Sequence, residues 1–166
     1  VALISRLFDD GVTSRLQKIL REEKGLVYSV ECRATSLPDT GTVDFDVSVR
    51  SEKVVEVTKI LLDEIKQFVS TGVNEDELGR VKQRYGYDLD SELDDPYRQI
   101  VRYGFCHLYA SECTVEEERV RISKITPLDI LRVAREIFVP EKLNFILVGP
   151  YTSGLKNTLK LLVQDF

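Results

Sequence analysis

At Gly25 the spacing of apolar residues changes from helical to extended within a single turn. Before it, Val12, Leu16, Ile19 and Leu20 recur at i, i+4, i+7 and i+8, the stripe of an amphipathic helix. Lys24 falls in the last turn of that helix, and Gly25 is placed to stop it in the left-handed conformation that glycine tolerates. After it, Tyr28, Val30, Cys32 and Ala34 alternate with Ser29, Glu31, Arg33 and Thr35. The turn LPDTG then leads to VDFDVSV, where Val43, Phe45, Val47 and Val49 point one way and Asp44, Asp46 and Ser48 the other. A helix running into an antiparallel hairpin with one wet face is the expected result.

The remaining elements follow from their caps and stripes. VALISRLF has helical spacing and ends at DDG. A long helix is predicted from Ser51 as its N-cap, with Val54, Val57, Leu61, Ile65 and Phe68 facing the core. Asn74 caps the next, with Glu77 at the capping-box position and Leu78, Val81, Tyr85 and Leu89 continuing the stripe. Pro96 opens a helix that carries Tyr97, Ile100, Val101, Phe105 and Leu108. Thr114 with Glu117, and Thr126 with Pro127, open two more. KLNFILVG reads as a short apolar strand, central in its sheet, and LKNTLKLLV as a final helix.

The class is therefore α+β, with helices packed on one face of a mostly antiparallel sheet. That sheet is a strand short for the helix it must cover. The chain has 166 residues and no methionine, and it opens inside an apolar run. A single domain over residues 1–166 is expected, cut from a longer protein, and a further strand before Val1 would fit.

The net charge of −5 argues against a nucleic-acid partner, which calls for a basic face. Both acidic runs, YDLDSELDDP and TVEEE, suit solvated helix faces and helix starts. No apolar run is long enough to span a membrane, and no signal peptide is visible. Cys32, Cys106 and Cys113 are odd in number and lack metal-ligand spacing. They read as reduced thiols, which favours a cytoplasmic setting and leaves open a periplasmic chain with unpaired cysteines. His107 is the only histidine, so motifs that need two, including H-x-x-E-H, are excluded within these residues. On a helix Cys106 and His107 point about 100° apart and the cysteines seven residues apart leave only two ligands together, and no phosphate-binding glycine loop occurs.

Arg21 and Tyr28 flank the Gly25 joint seven residues apart. Each has an ordinary structural use: the arginine on carbonyls at the helix end, the tyrosine at the edge of the apolar strand face. The same geometry also permits both to point into one mouth, where a guanidinium and a phenol would suit a peptide carbonyl or a developing oxyanion.

DDGVTSRLQKILREEKGLVYSV, with the D-x-G turn and alternating strand after it, resembles the pitrilysin/insulinase family of zinc peptidases, the inverzincins. The likeness is to their C-terminal, metal-free half, where SRL, LRE and G-L-x-Y-S recur in this order. It continues through GVNEDELGRVKQ and closes on ITPLDILRVAREIFVPEKLNFILVGP, covering nearly the whole chain. The resemblance implies a half-domain of the processing-peptidase type, one of two α+β halves that close like a clam around a peptide. Zinc and the glutamate base would then sit in the other half, on H-x-x-E-H, on the same chain or another, and this chain would bind no cofactor. It also implies that Arg21 and Tyr28 bind the peptide substrate and polarise its scissile carbonyl opposite the zinc. There the metal activates a water and the glutamate takes its proton. The chain departs from the family at DDG, where two glycines are frequent. These residues alone are not expected to be active. The same fold also serves non-catalytic partner subunits and a structural core subunit of a respiratory complex, so assembly without chemistry is the alternative. A homodimer through the interior face is a further possible arrangement.

Overall fold

The computed structural model describes residues 1–37, 39–109 and 114–166. Helix α1 (Ala2–Phe8) leads through the DDG loop into a second helix whose closing residues, Gln17–Glu23, are wound as a π-helix. Past Gly25, β1 (Val27–Ser36) pairs antiparallel with β2 (Gly41–Val49). A 3₁₀ turn at Ser51–Lys53 opens α2 (Val54–Thr71), followed by α3 (Glu75–Leu93), α4 (Pro96–Tyr109), α5 (Val115–Lys124) and α6 (Pro127–Ile137). Another 3₁₀ turn, Pro140–Lys142, precedes α7 (Ser153–Gln164). The α+β class and the hairpin are those the sequence predicts. Among the described residues no helix is long and apolar enough to cross a membrane.

The core forms where the apolar face of the hairpin meets α1, α2 and α6. Phe8 is fully buried, and its ring meets Phe45 of β2 at 5.2 Å, Phe68 of α2 at 4.9 Å and Phe138 beyond α6 at 5.9 Å, all edge to face. This is the arrangement that aromatic quadrupoles favour. Val43, Val47 and Val49 pack against the same cluster, while Asp44, Asp46 and Ser48 stay exposed.

A second tie is electrostatic. Arg15 holds Glu77 of α3 with two parallel bonds (Nε–Oε1 2.7 Å, Nη2–Oε2 2.8 Å), Glu64 of α2 at 3.0 Å and the Gly72 carbonyl at 3.1 Å. Its guanidinium also lies 5.0 Å from the centre of the Phe68 ring. Burial pulls the Arg15 pKa down, but the bonds to Glu77 and Glu64 outweigh it and hold the group more firmly charged than usual. Glu77 is thereby drawn away from the capping box, and Asn74 caps α3 alone, accepting the Glu77 N–H at 2.8 Å.

The α3–α4–α5 layer turns on Arg102, which bonds Glu92 at 2.6 Å and Glu118 at 2.5 Å. The Tyr85 hydroxyl donates to the same Glu118 carboxylate. Burial pushes the Glu118 pKa up, but the hydrogen bonds from Tyr85 and Arg102 outweigh it and hold it below the ordinary range.

Four further expectations are corrected. Val12 lies in a turn and is 66% exposed, because the helix starts only after Ser14 caps back onto the Gly11 carbonyl. Ser51 makes no capping bond; it sits in the 3₁₀ turn that leads into α2. No residue of α4 is buried, since charged pairs rather than its apolar stripe fasten it to α3 and α5. Among the described residues KLNFILVG joins no sheet: residues 143–148 have no ladder partner there, and Ile146 and Val148 are 84% and 92% exposed. An apolar run records the preference for extension, whereas a strand also requires a neighbour to pair with.

Arg15→Met should destabilise the protein by about 3 kcal/mol in urea unfolding, because Glu64 and Glu77 would be left facing each other without a cation. The depressed Glu118 pKa makes the second prediction. Its contribution to stability is present above the usual glutamate range and lost as the pH falls through the depressed value. Thermal melts of Glu118→Gln should therefore show a lower plateau near neutrality and a shallower fall in acid than wild type.

Candidate functional site

The joint between the π-helix and β1 is built around Gly25. Its φ of 57° lies in the left-handed region, and a Cβ there would meet no atom within 4 Å. Leu26 N–H donates to the Leu20 carbonyl at 2.9 Å, six residues back, and Gly25 N–H to the Arg21 carbonyl at 3.2 Å. The wide turn follows from the π winding, which inserts extra chain into a helix and recurs at functional positions. Arg21 lies in the last turn of this helix, exposed, with its backbone carbonyl already satisfied. Its side chain has no hydrogen-bond or ion-pair partner among the described residues, so the use on carbonyls at the helix end is not realised.

Tyr28 departs from its expected side. The ladder pairs Val27 with Val49 and Ser29 with Ser48, leaving Tyr28 as the additional residue of a β-bulge. Val27, Val30 and Cys32 point into the core, while Tyr28 is 88% exposed. Alternation had grouped Tyr28 with Val30 and Cys32. The bulge breaks that parity by one residue and re-aims the ring away from the apolar face. Arg21 and Tyr28 thus stand exposed on either side of one short turn, and neither side chain has a hydrogen-bond partner among the described residues.

Two residues at this joint escaped the sequence reading. The Gln17 amide donates to Asp9 Oδ1 at 3.0 Å and to the Val30 carbonyl at 2.9 Å. Asp9 Oδ2 accepts the Cys32 N–H at 3.1 Å. The only signal had been the departure at DDG. Asp9 turns to β1, whereas Asp10 pairs with Arg6 and with Arg84 of α3, each at 3.4 Å. Gly11, at φ 92°, leaves the space into which the Arg84 guanidinium packs. Burial, with Asp9 and Asp44 nearby, pushes the Cys32 thiol pKa far up, so it behaves as an inert core group.

Among the described residues no three His, Cys, Asp or Glu side chains gather where they could hold a metal ion. His107 is exposed on α4, and Cys113 lies outside the described residues. The residues described here do not fit a zinc site.

The fold is that of an α+β half-domain with helices packed on an antiparallel hairpin. The family model described as the peptidase M16 inactive domain matches residues 1–85, from α1 through the joint and hairpin into α3. The chain belongs to this family, the pitrilysin type. It is 27% identical over 151 residues to an uncharacterized zinc protease of Streptomyces coelicolor, covering 90% of this chain and 33% of that protein. Among solved structures, it is similar to a peptidase M16 inactive domain from Pseudomonas fluorescens. The TM-score there is 0.73 at 19% identity, over 82% of this chain and 33% of the other. A chain of complex III2 from Candida albicans has the same fold, with a TM-score of 0.68 at 18% identity over 81% and 34% of the two chains. The chain therefore spans about a third of the length of these relatives.

Gly25→Ala should lower stability by about 1 kcal/mol in thermal unfolding, the cost of holding an L-residue in the left-handed region. Gly25→Asn should cost less, since asparagine tolerates that region better.

Proposed function

We propose that this chain is the substrate-binding, metal-free half of a zinc-dependent endopeptidase that encloses and cleaves peptides. The observation that supports this reading best is the bulge at Tyr28. It turns an aromatic side chain away from an apolar face, across the Gly25 turn from an arginine with no side-chain partner among the described residues. Neither residue serves the core. A guanidinium and a phenol supply several fixed donors, and a peptide carbonyl supplies an acceptor that gains negative charge as it is attacked.

The zinc belongs, on this reading, to a half bearing H-x-x-E-H on the same or another chain, in keeping with the zinc-protease relatives and with residues here that do not fit the metal. Arg21 and Tyr28 orient the peptide and donate to its scissile carbonyl oxygen. Exclusion of water as the halves close strengthens those bonds. The likeness to a complex III2 chain supports a second reading, an assembly subunit without chemistry.

In the full-length protein with its zinc half, Arg21→Ala and Tyr28→Phe should each lower kcat by about 10²–10³ while bound zinc is unchanged. Peptide turnover and metal analysis on the same preparations check this. Wild-type turnover in both variants would remove the role given to the pair. A neighbouring half with a degenerate motif and no bound zinc would favour the assembly subunit instead.

A further inference from the structure

We infer that Asp9 and Gln17 are positioning residues for the Arg21–Tyr28 pair, a clamp that sets how the arginine-bearing helix stands against the tyrosine-bearing strand. This inference rests on the reading of that pair as the substrate-binding site. Gln17 lies four residues before Arg21 in the same π-wound segment. Val30, whose carbonyl Gln17 bonds, lies two residues after Tyr28, about 7 Å along a strand. The bridge therefore spans the two elements within a turn of each residue it would place.

The backbone bonds at Gly25 close the turn but leave the angle beyond it to other contacts. Leu16 and Leu20 hold the helix to the core by apolar burial, which carries no direction, and the Arg15 bonds orient it toward α2 and α3, not toward β1. The clamp supplies direction, and its chemistry specifies both residues. The Gln17 amide spends its two hydrogens on two acceptors, the Asp9 carboxylate and the Val30 carbonyl. Asp9 uses both oxygens, one on Gln17 and one on the Cys32 N–H. An asparagine at position 9 would offer one acceptor where two are needed. A glutamate at position 17 would turn its oxygens on two other acceptors, so an isosteric change removes both bonds at once.

The test is a double-mutant cycle in the full-length protein with its zinc half, reading kcat and KM on a quenched-fluorescent peptide, with bound zinc measured throughout. Gln17→Glu should lower kcat roughly tenfold to a hundredfold, as displacements of about 1 Å at a site do, with zinc unchanged. Combined with Arg21→Ala it should add little, since both act through one contact. A loss that came only from weakened folding would multiply in full on either background. Asp9→Asn, which removes one bond rather than two, should give a smaller loss in the same direction and keeps the test readable if Gln17→Glu does not fold. Wild-type kcat in Gln17→Glu or in Asp9→Asn, or losses that multiply fully in the double variant, would overturn the clamp while leaving the site intact. Wild-type turnover in both Arg21→Ala and Tyr28→Phe would overturn the site itself.

Discussion

Phe8 is the residue on which the arrangement turns. Its ring is fully enclosed and touches one phenylalanine from the hairpin, one from α2 and one from the end of α6. Three elements distant in sequence thus share one fixed point at the end of α1. The next residue, Asp9, has little freedom once Phe8 is seated, and its carboxylate lies against the edge of β1. Core packing and the geometry of the exposed joint are therefore linked through two consecutive residues. Interiors packed as densely as crystals transmit such constraints rather than absorb them.

Around that point the helices are fastened by arginines as much as by apolar contact. Arg15 and Arg102 each take two glutamates from different helices, and both are held more firmly charged by them. The planar fork of a guanidinium suits this, because it donates in several fixed directions at once where an ammonium would not. Pairs of this kind contribute less to net stability than their number suggests, since each partner gives up hydration. Their value is directional: they favour one helix arrangement over others with similar apolar burial.

The outcome is a half-domain with an irregular joint between its second helix and β1. The π winding, the left-handed glycine and the bulge are three departures from regular geometry within residues 17–29. The π winding and the bulge interrupt regular hydrogen bonding, whereas the glycine between them is the usual way to stop a helix. Their concentration where Arg21 and Tyr28 emerge, in a member of the peptidase M16 inactive-domain family, gives the substrate-binding reading its physical basis.

Much of the fold was legible because it is local. The stripes of α2 and α3, the caps at Asn74, Thr114 and Thr126, the alternation of β2 and the stop at Gly25 all depend on neighbours a few residues away. Arg21 and Tyr28 could be named as candidates, but the side on which Tyr28 emerges could not. That side depends on the register of β1 against β2, which no single strand encodes. Glu77 read as half of a capping box, and only the approach of Arg15, 62 residues away in sequence, draws its carboxylate elsewhere. The apolar stretch at 143–148 and the stripe of α4 likewise expressed a preference that pairing and packing did not fulfil. By itself, then, the sequence determined which segments turn into helix or hairpin and which residue types stand at the joint. Tertiary structure alone decided where those side chains point, because direction comes from partners far along the chain.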